Sequence, residues 1–225
     1  MEATIFKGFS QEMFQFFNNL KENNSKPWFE EHKHIYLDSI YHPMKSFSVA
    51  LSPAFFEIDP RINMNPSKTV SRIYRDIRFS KDKTPYRTNM WMSFQRTLSD
   101  WRTFPGYYLE LQEDSYSYGM GMYMATRKEM DEFRLRTTYD PETFEDITRP
   151  LIEKHGFTIG GEQYKRHFPS TLPEYFQQWI QRKSIYLYKN KPLGKELYTP
   201  EFTAVMAAEY KQLQPLYEYF ADICE

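Results

Sequence analysis

The apolar pattern of this chain changes period twice, and that change limits the folds open to it. From Ser10 to Phe56 the apolar side chains recur three and four residues apart, as helices require. "TNMWMSFQR", "GYYLELQED" and "YSYGMGMYM" then alternate, with aromatic or methionine side chains on one parity. From Thr126 helical spacing returns, interrupted by two short strand-like runs, "FTIGG" and "SIYLYKN". Three alternating runs in succession, joined by short connections such as "TLSDWRTFPG", predict an antiparallel meander. The expected fold is therefore α+β, a central antiparallel sheet flanked by N-terminal and C-terminal helices. No repeat, low-complexity tract or linker divides the 225 residues, so residues 1–225 are expected to form a single domain.

Local signals set the element boundaries. Ser10 caps a first helix carrying Met13, Phe16, Phe17 and Leu20. "KENNSKP" is a turn, and Pro27 suits the first position of a second helix. Its inward stripe reads Trp28, His32, Ile35, Tyr36 and Ile40, and Pro43 interrupts it or starts the next. Thr126 with Glu129 forms a capping box for a helix through Met130, Phe133 and Leu135. Asp140 and Pro141 start another, which Gly156 ends. Residues 173–183 read as helix, with Tyr175, Phe176, Trp179 and Ile180. Thr199 and Pro200 open a C-terminal helix with Phe202, Val205, Met206 and Leu213, which Pro215 kinks or splits.

Composition excludes several classes. Hydrophobic residues are 40% and aromatics 18%, enough to build a core, so disorder is excluded. The only cysteine is Cys224, which removes disulfide frameworks and cysteine-ligated metal sites within one chain. No apolar run approaches the ~20 residues of a membrane span. The N-terminal "MEATIFKGFS" lacks a signal-peptide pattern, and the expectation is a cytoplasmic protein with no membrane partner. A net charge of −1 disfavours a nucleic-acid-coating protein.

That charge is not evenly spread. Between Lys68 and Arg87 seven basic residues face two acidic ones, whereas the tail from Lys195 to Glu225 is acidic. The basic window contains "RIYRDIRFSKDKTPYR". As a strand it puts Ile73, Ile77 and Phe79 on one face with Arg75; as a helix it gathers Val70, Ile73 and Ile77. The reading favoured here is a strand that breaks into a loop near Ser80. Arginine offers a planar fork of donors suited to carboxylates and phosphates. Arg72, Arg75, Arg78, Lys81, Lys83 and Arg87 are the candidate anion-binding residues. Asp76 and Tyr86 are candidates to orient them or to act as acid or base. The competing reading makes the arginines a structural salt-bridge network, with the acidic tail as one source of partners.

The same residues carry a resemblance. Arg72, Arg75, Asp76, Arg78 and Phe79, followed by Pro85 and Tyr86, resemble the Arg-x-x-Arg-Asp-x-Arg-Phe and Pro-Tyr signature of the family known as domain of unknown function 2461. "FFNNLKENNSKPWFEEHKHIY" is similar to that family's helical opening and "PGYYLELQ" to its glycine-tyrosine strand. The resemblance implies a widely distributed bacterial protein of about this length. It brings with it no activity, cofactor or catalytic residue.

Other motifs carry less. Glu31 and His34 make half of a two-metal carboxylate pattern whose second half is missing, and no metal site is expected. Gly119 and Gly121 lie in a strand pattern and suit close packing better than dinucleotide binding. Met120, Met122 and Met124 with Tyr116 and Tyr118 read as core. Glu110, Glu113 and Asp114 are carboxylates whose role depends on geometry. His155 and His167 have no evident partner, and an acidic setting should raise the Cys224 thiol pKa. No cofactor is expected. Two functions follow: a binding protein or enzyme for an anionic, phosphate-containing small molecule, or a non-catalytic protein-interaction module, a homo-oligomer included. Single-stranded nucleic-acid binding ranks third.

Overall fold

The computed structural model describes residues 5–78, 81–97 and 103–225. Phe79 and Ser80, and residues 98–102 of the "TLSDWRTFPG" connection, lie outside the described residues. In chain order the helices are α1 (Gln11–Glu22), α2 (Lys26–Ile35), α3 (His42–Ala50), α4 (Ser52–Ile58), α5 (Pro66–Thr69), α6 (Arg127–Tyr139), α7 (Pro141–Glu153), α8 (Glu174–Ile180), α9 (Phe202–Gln212) and α10 (Gln214–Cys224). The strands are β1 (Met90–Phe94), β2 (Gly106–Leu111), β3 (Ser115–Met122), β4 (Thr158–Gly160) and β5 (Ile185–Pro192). They form one antiparallel sheet in the order β1-β2-β3-β5-β4, so the fold is α+β and its first three strands are the expected meander. No helix of the described residues is long and apolar enough to cross a membrane.

By internal contacts the chain divides into two compact units. The first comprises Met1–Phe94, Tyr108–Ser117 and Asn190–Ala208, and the second Gln95–Tyr107, Tyr118–Lys189 and Glu209–Glu225.

The first unit is built on helix caps and packed rings. The Ser10 side chain accepts from the Met13 amide, starting α1, whose Met13, Phe14, Phe16, Phe17 and Leu20 are buried. Phe47 stacks on Phe202 at 5.3 Å, and Phe55 on Phe94 at 4.4 Å. Between α2 and α3 runs a π-helical turn, Tyr36–Tyr41, in which the His42 amide bonds to the Leu37 carbonyl. Pro43 explains it. A proline removes one helix donor and crowds the carbonyl four residues back, and a wider turn relieves both, so the backbone passes through without a break.

The expected stripe of α2 needs correction. Phe29, not Trp28, is the buried side chain of that helix, followed by Tyr36 and Ile40 in the π turn. Trp28 instead stacks on His32 at 4.1 Å, half-buried, and His32 Nδ1 bonds to the Trp28 carbonyl. Phenylalanine has no polar atom to satisfy, whereas burying an indole N–H carries a cost wherever it finds no acceptor.

The second unit holds the remaining helices and a second aromatic core. Thr126 and Glu129 form the capping box of α6, and the Asp140 side chain accepts from the Thr143 amide to start α7. Phe133 meets Phe144 at 5.4 Å, and Phe144 meets Trp179 at 5.0 Å. Tyr107 packs on Tyr210 and Tyr217. Gly121 lies against β5, where a Cβ would stand 2.3 Å from the Ile185 carbonyl oxygen, the close approach that a strand glycine suggests. Leu135 is 65% exposed, because α6 buries Met130, Phe133 and Thr137 and Leu135 points away from that line. Met124, beyond the end of β3, is likewise exposed, whereas Met120 and Met122 are core. Burial pushes the Cys224 thiol up to about 12, a larger cause than the acidic neighbours.

The C-terminal helical segment divides at Leu213, with Pro215 in the first turn of α10. Val205 is exposed, one position off the buried line of Phe202, Met206, Tyr210 and Leu213.

Candidate functional site

The basic segment is extended rather than helical. Tyr74 and Tyr86 form an isolated antiparallel bridge. The Arg75 amide donates to the Pro85 carbonyl, and the Arg87 amide to the Ile73 carbonyl. Further along, the Ser71 amide donates to the Trp91 carbonyl and Val70 bridges Met92, leading into β1. Ile73 is fully buried, whereas Ile77 is exposed.

Two devices hold this hairpin against the helices of the first unit. The Tyr86 ring is 2% exposed and stacks on Phe29 at 4.1 Å. The Asn24 carboxamide brackets the backbone of the same residue, accepting from the Tyr86 amide at 3.0 Å and donating to its carbonyl at 3.0 Å. Burial, with the Tyr74 and Glu30 neighbours, raises the Tyr86 pKa. A buried, stacked phenol is an anchor in this geometry.

The six candidate cations separate into four groups. Arg78 grips Asp76 with both arms of its fork, at 3.0 Å and 2.7 Å, and both side chains are exposed. Lys83 donates to the Ile77 carbonyl at 2.8 Å and so closes the loop on itself. Arg72 and Lys81 are exposed, with no side-chain partner among the described residues. Arg75 and Arg87 converge.

Arg75 is held by the Tyr86 carbonyl at 3.3 Å and by Asp82 at 3.1 Å. Arg87 reaches back over the Trp91 ring at 4.6 Å and has no carboxylate partner among the described residues. The Nε of each of the two arginines is buried without an acceptor. Burial first, then the nearby Arg75 charge, lowers the Arg87 pKa, while Asp76 and Glu110 act against that shift. An arginine stays protonated under such pressure, so the site holds two charged guanidiniums side by side.

The floor beside them comes from the meander. Met90, Met92 and Phe94 are buried, which leaves Trp91 on the opposite parity of β1, with Asn89 just before the strand on the same side. Asn89 donates to Glu110 of β2, and Tyr108 bonds Ser117 at 2.8 Å. Glu113 instead pairs with Lys21, and Asp114 accepts from the Ser115 hydroxyl. Charge counting alone did not point to Asn89, Trp91 or Asn24. The parity of "TNMWMSFQR" carried the signal for the first two, because the methionines and the phenylalanine claim the core face. Within the second unit Glu225 pairs with Arg96 and Glu209 with Lys189. Among the described residues no cluster of three or more His, Cys, Asp or Glu side chains could hold a metal.

The Asp76 carboxyl gives a direct check on this arrangement. Its bidentate bond to Arg78 lowers its pKa to about 2. A depressed carboxylate pKa means that the paired form is complete above the ordinary range near ~4 and is lost as the pH falls through the folded value. We expect an NMR titration of the Asp76 carboxyl to show a midpoint of about 2. Arg78→Ala should return it towards ~4. An unchanged midpoint in the variant would remove Arg78 as the cause.

The fold and this surface define an α+β protein whose meander carries a cationic extended hairpin with paired guanidiniums. The chain belongs to the family described as conserved hypothetical protein (DUF2461), whose sequence model matches residues 12–219. The matched span includes the whole of Arg72 to Arg87. No curated protein matches the chain.

Proposed function

We propose that the protein binds a small anionic molecule, of the carboxylate or phosphate class, with Arg75 and Arg87 as its anion subsite. The observation that carries this reading is the condition of Arg87: partly buried, beside a like charge, and in no ion pair among the described residues. Burial and the Arg75 charge both press on the Arg87 guanidinium, and an anion bound between the two forks would offset both. Arg72 and Lys81 contribute a positive rim that draws the anion in. Arg78, Asp76 and Lys83 hold the loop, and Tyr86 anchors it.

The test is a thermal-shift screen with phosphate, sulfate, nucleotides, sugar phosphates and small carboxylates. Arg87→Ala is a cleaner variant than Arg75→Ala, because Arg75 also holds the Tyr86 carbonyl and Asp82. A ligand at 100 times its Kd should stabilise the protein by ~2.7 kcal/mol. That shift should vanish in a folded Arg87→Ala variant. Arg87→Lys should recover only part of it, since lysine keeps the charge and loses the fork. No shift with any anion would overturn the reading.

A second reading is a non-catalytic interaction module whose arginines form a structural network. It is favoured by the Arg78–Asp76 and Arg75–Asp82 pairs, and by Tyr74 and Ile77, which are 54% and 42% exposed beside them. It predicts no anion shift and a mass that rises with concentration.

A further inference from the structure

We propose that the outer edge of residues 72–76 takes an extended acidic segment of a partner protein as an added strand. The inference is independent of the anion reading above, because it uses the backbone of Arg72, Tyr74 and Asp76 and not the forks of Arg75 and Arg87.

The backbone bonds of the hairpin decide which way this edge faces. The Ser71 amide donates to the Trp91 carbonyl, the Ile73 carbonyl accepts from the Arg87 amide, and the Arg75 amide donates to the Pro85 carbonyl. Ser71, Ile73 and Arg75 thus turn their peptide groups towards the returning chain. In an extended chain successive residues turn theirs to opposite sides, so those of Arg72, Tyr74 and Asp76 face away from it. None of these makes a backbone–backbone hydrogen bond among the described residues. Arg72 and Asp76 are exposed, and Tyr74 is 54% exposed. Outward peptide groups in alternation, open to solvent, are the unpaired edge that strand addition uses as its template.

Charge and shape select the occupant. Charged side chains along an edge keep like strands from pairing with it, and the same charges favour a strand of opposite sign. Arg72 is exposed without a side-chain partner among the described residues, in a window of seven basic residues against two acidic ones. Asp76 is already held by Arg78, so the edge presents a cation at one end and a neutralised carboxylate at the other. Between them the Tyr74 ring lies 5.4 Å from Tyr86 and 6.1 Å from Phe29, with about half of its surface open. An added strand places alternate side chains on that same face. The fitting segment is therefore acidic, with a carboxylate beside Arg72 and an apolar side chain two residues along, on Tyr74. The acidic tail of this chain is helical in α9 and α10, which leaves a different protein as the source.

The experiment uses the whole chain and three blocked peptides. The first is Glu-Thr-Phe-Thr-Glu-Thr-Phe-Glu, which alternates carboxylate and ring along one face. The second is the same peptide with every backbone nitrogen methylated, and the third has lysine in place of glutamate. Fluorescence anisotropy should show the acidic peptide binding, and the lysine peptide binding about tenfold more weakly or worse, because like charges meet. The methylated peptide keeps the charges, loses the backbone donors and should not bind. Amide hydrogen exchange gives the structural readout. The Arg72 and Tyr74 amides should slow by about tenfold or more at saturating acidic peptide, whereas those of Ser71, Arg75 and Arg87, already bonded, should change little. Arg72→Pro removes an outward donor that has no backbone acceptor in the free protein, so its Tm should stay near that of the wild type. It should weaken the acidic peptide more than Arg72→Ala, which removes the charge and keeps the donor. Arg87→Ala should bind the peptide as the wild type does. No binding of the acidic peptide, equal binding of the methylated one, unslowed Arg72 and Tyr74 amides in the complex, or an Arg72→Pro no weaker than Arg72→Ala overturns the inference. Loss of peptide binding in Arg87→Ala also overturns it, by assigning the peptide's carboxylates to the anion subsite. The anion reading stands or falls separately, in the thermal-shift screen.

Discussion

Tyr86→Ala should lower the unfolding free energy by about 3–5 kcal/mol, the range for emptying a large aromatic site in a core. The ring is 2% exposed and stacks on Phe29, so little can collapse into the space it leaves. The same substitution reaches the candidate site, because the Tyr86 carbonyl accepts from both Asn24 and Arg75. For a chain of this length such a loss lowers Tm by on the order of 10 °C. Tyr86→Phe keeps the stack and should stay near the wild type in Tm. Asn24→Ala removes both bonds to the Tyr86 backbone and should fall between the two. A small loss for Tyr86→Ala would mean that the hairpin is held by its arginines and not by this ring. The motif's tyrosine would then return to the candidates for orienting the cations or acting as acid or base.

Gly161→Ala should be the most damaging small substitution in the second unit. Gly161 has φ +117°, and a Cβ there would stand 1.9 Å from the Ser184 carbonyl oxygen. Left-handed backbone costs an L-residue about 1–2 kcal/mol. Overpacking against an obstacle that cannot rotate away adds about 1–3 kcal/mol. Gly156→Ala separates the two effects. Gly156 has φ +72° and nothing within 4 Å of a Cβ, so only the backbone cost applies. Urea denaturation of both variants should therefore show Gly161→Ala losing clearly more stability than Gly156→Ala. Equal losses would remove the steric contribution of Ser184.

Much of the fold was legible because local rules act on neighbouring residues. Ser10, the Thr126–Glu129 box, Asp140 with Pro141, and Pro215 all mark helix ends through bonds made or lost within one turn. The alternation of "TNMWMSFQR" follows from the pleat itself. The π turn was harder to see, since Pro43 is equally compatible with a break. Trp28 and Phe29 are adjacent apolar rings, and only the packing partner decides which of them goes inside.

The candidate site divides in the same way. Its location was readable from charge, because seven basic residues against two acidic ones in twenty positions stand out in a chain of net charge −1. The roles of the six cations within the motif were not readable, because each offers similar donors and a positive charge. Sequence by itself determined the helix caps, the alternating strands and the segment where positive charge gathers, all of which depend on residues close in the chain. Only the tertiary structure decided that Asp76 and Asp82 occupy Arg78 and Arg75, that Arg87 forms no ion pair among the described residues, and that Asn89 holds Glu110 of the next strand. The reason is physical: an ion pair or a hydrogen bond forms at ~3 Å whatever the sequence separation. Glu110 reaches Asn89 from 21 residues away because β2 lies beside β1.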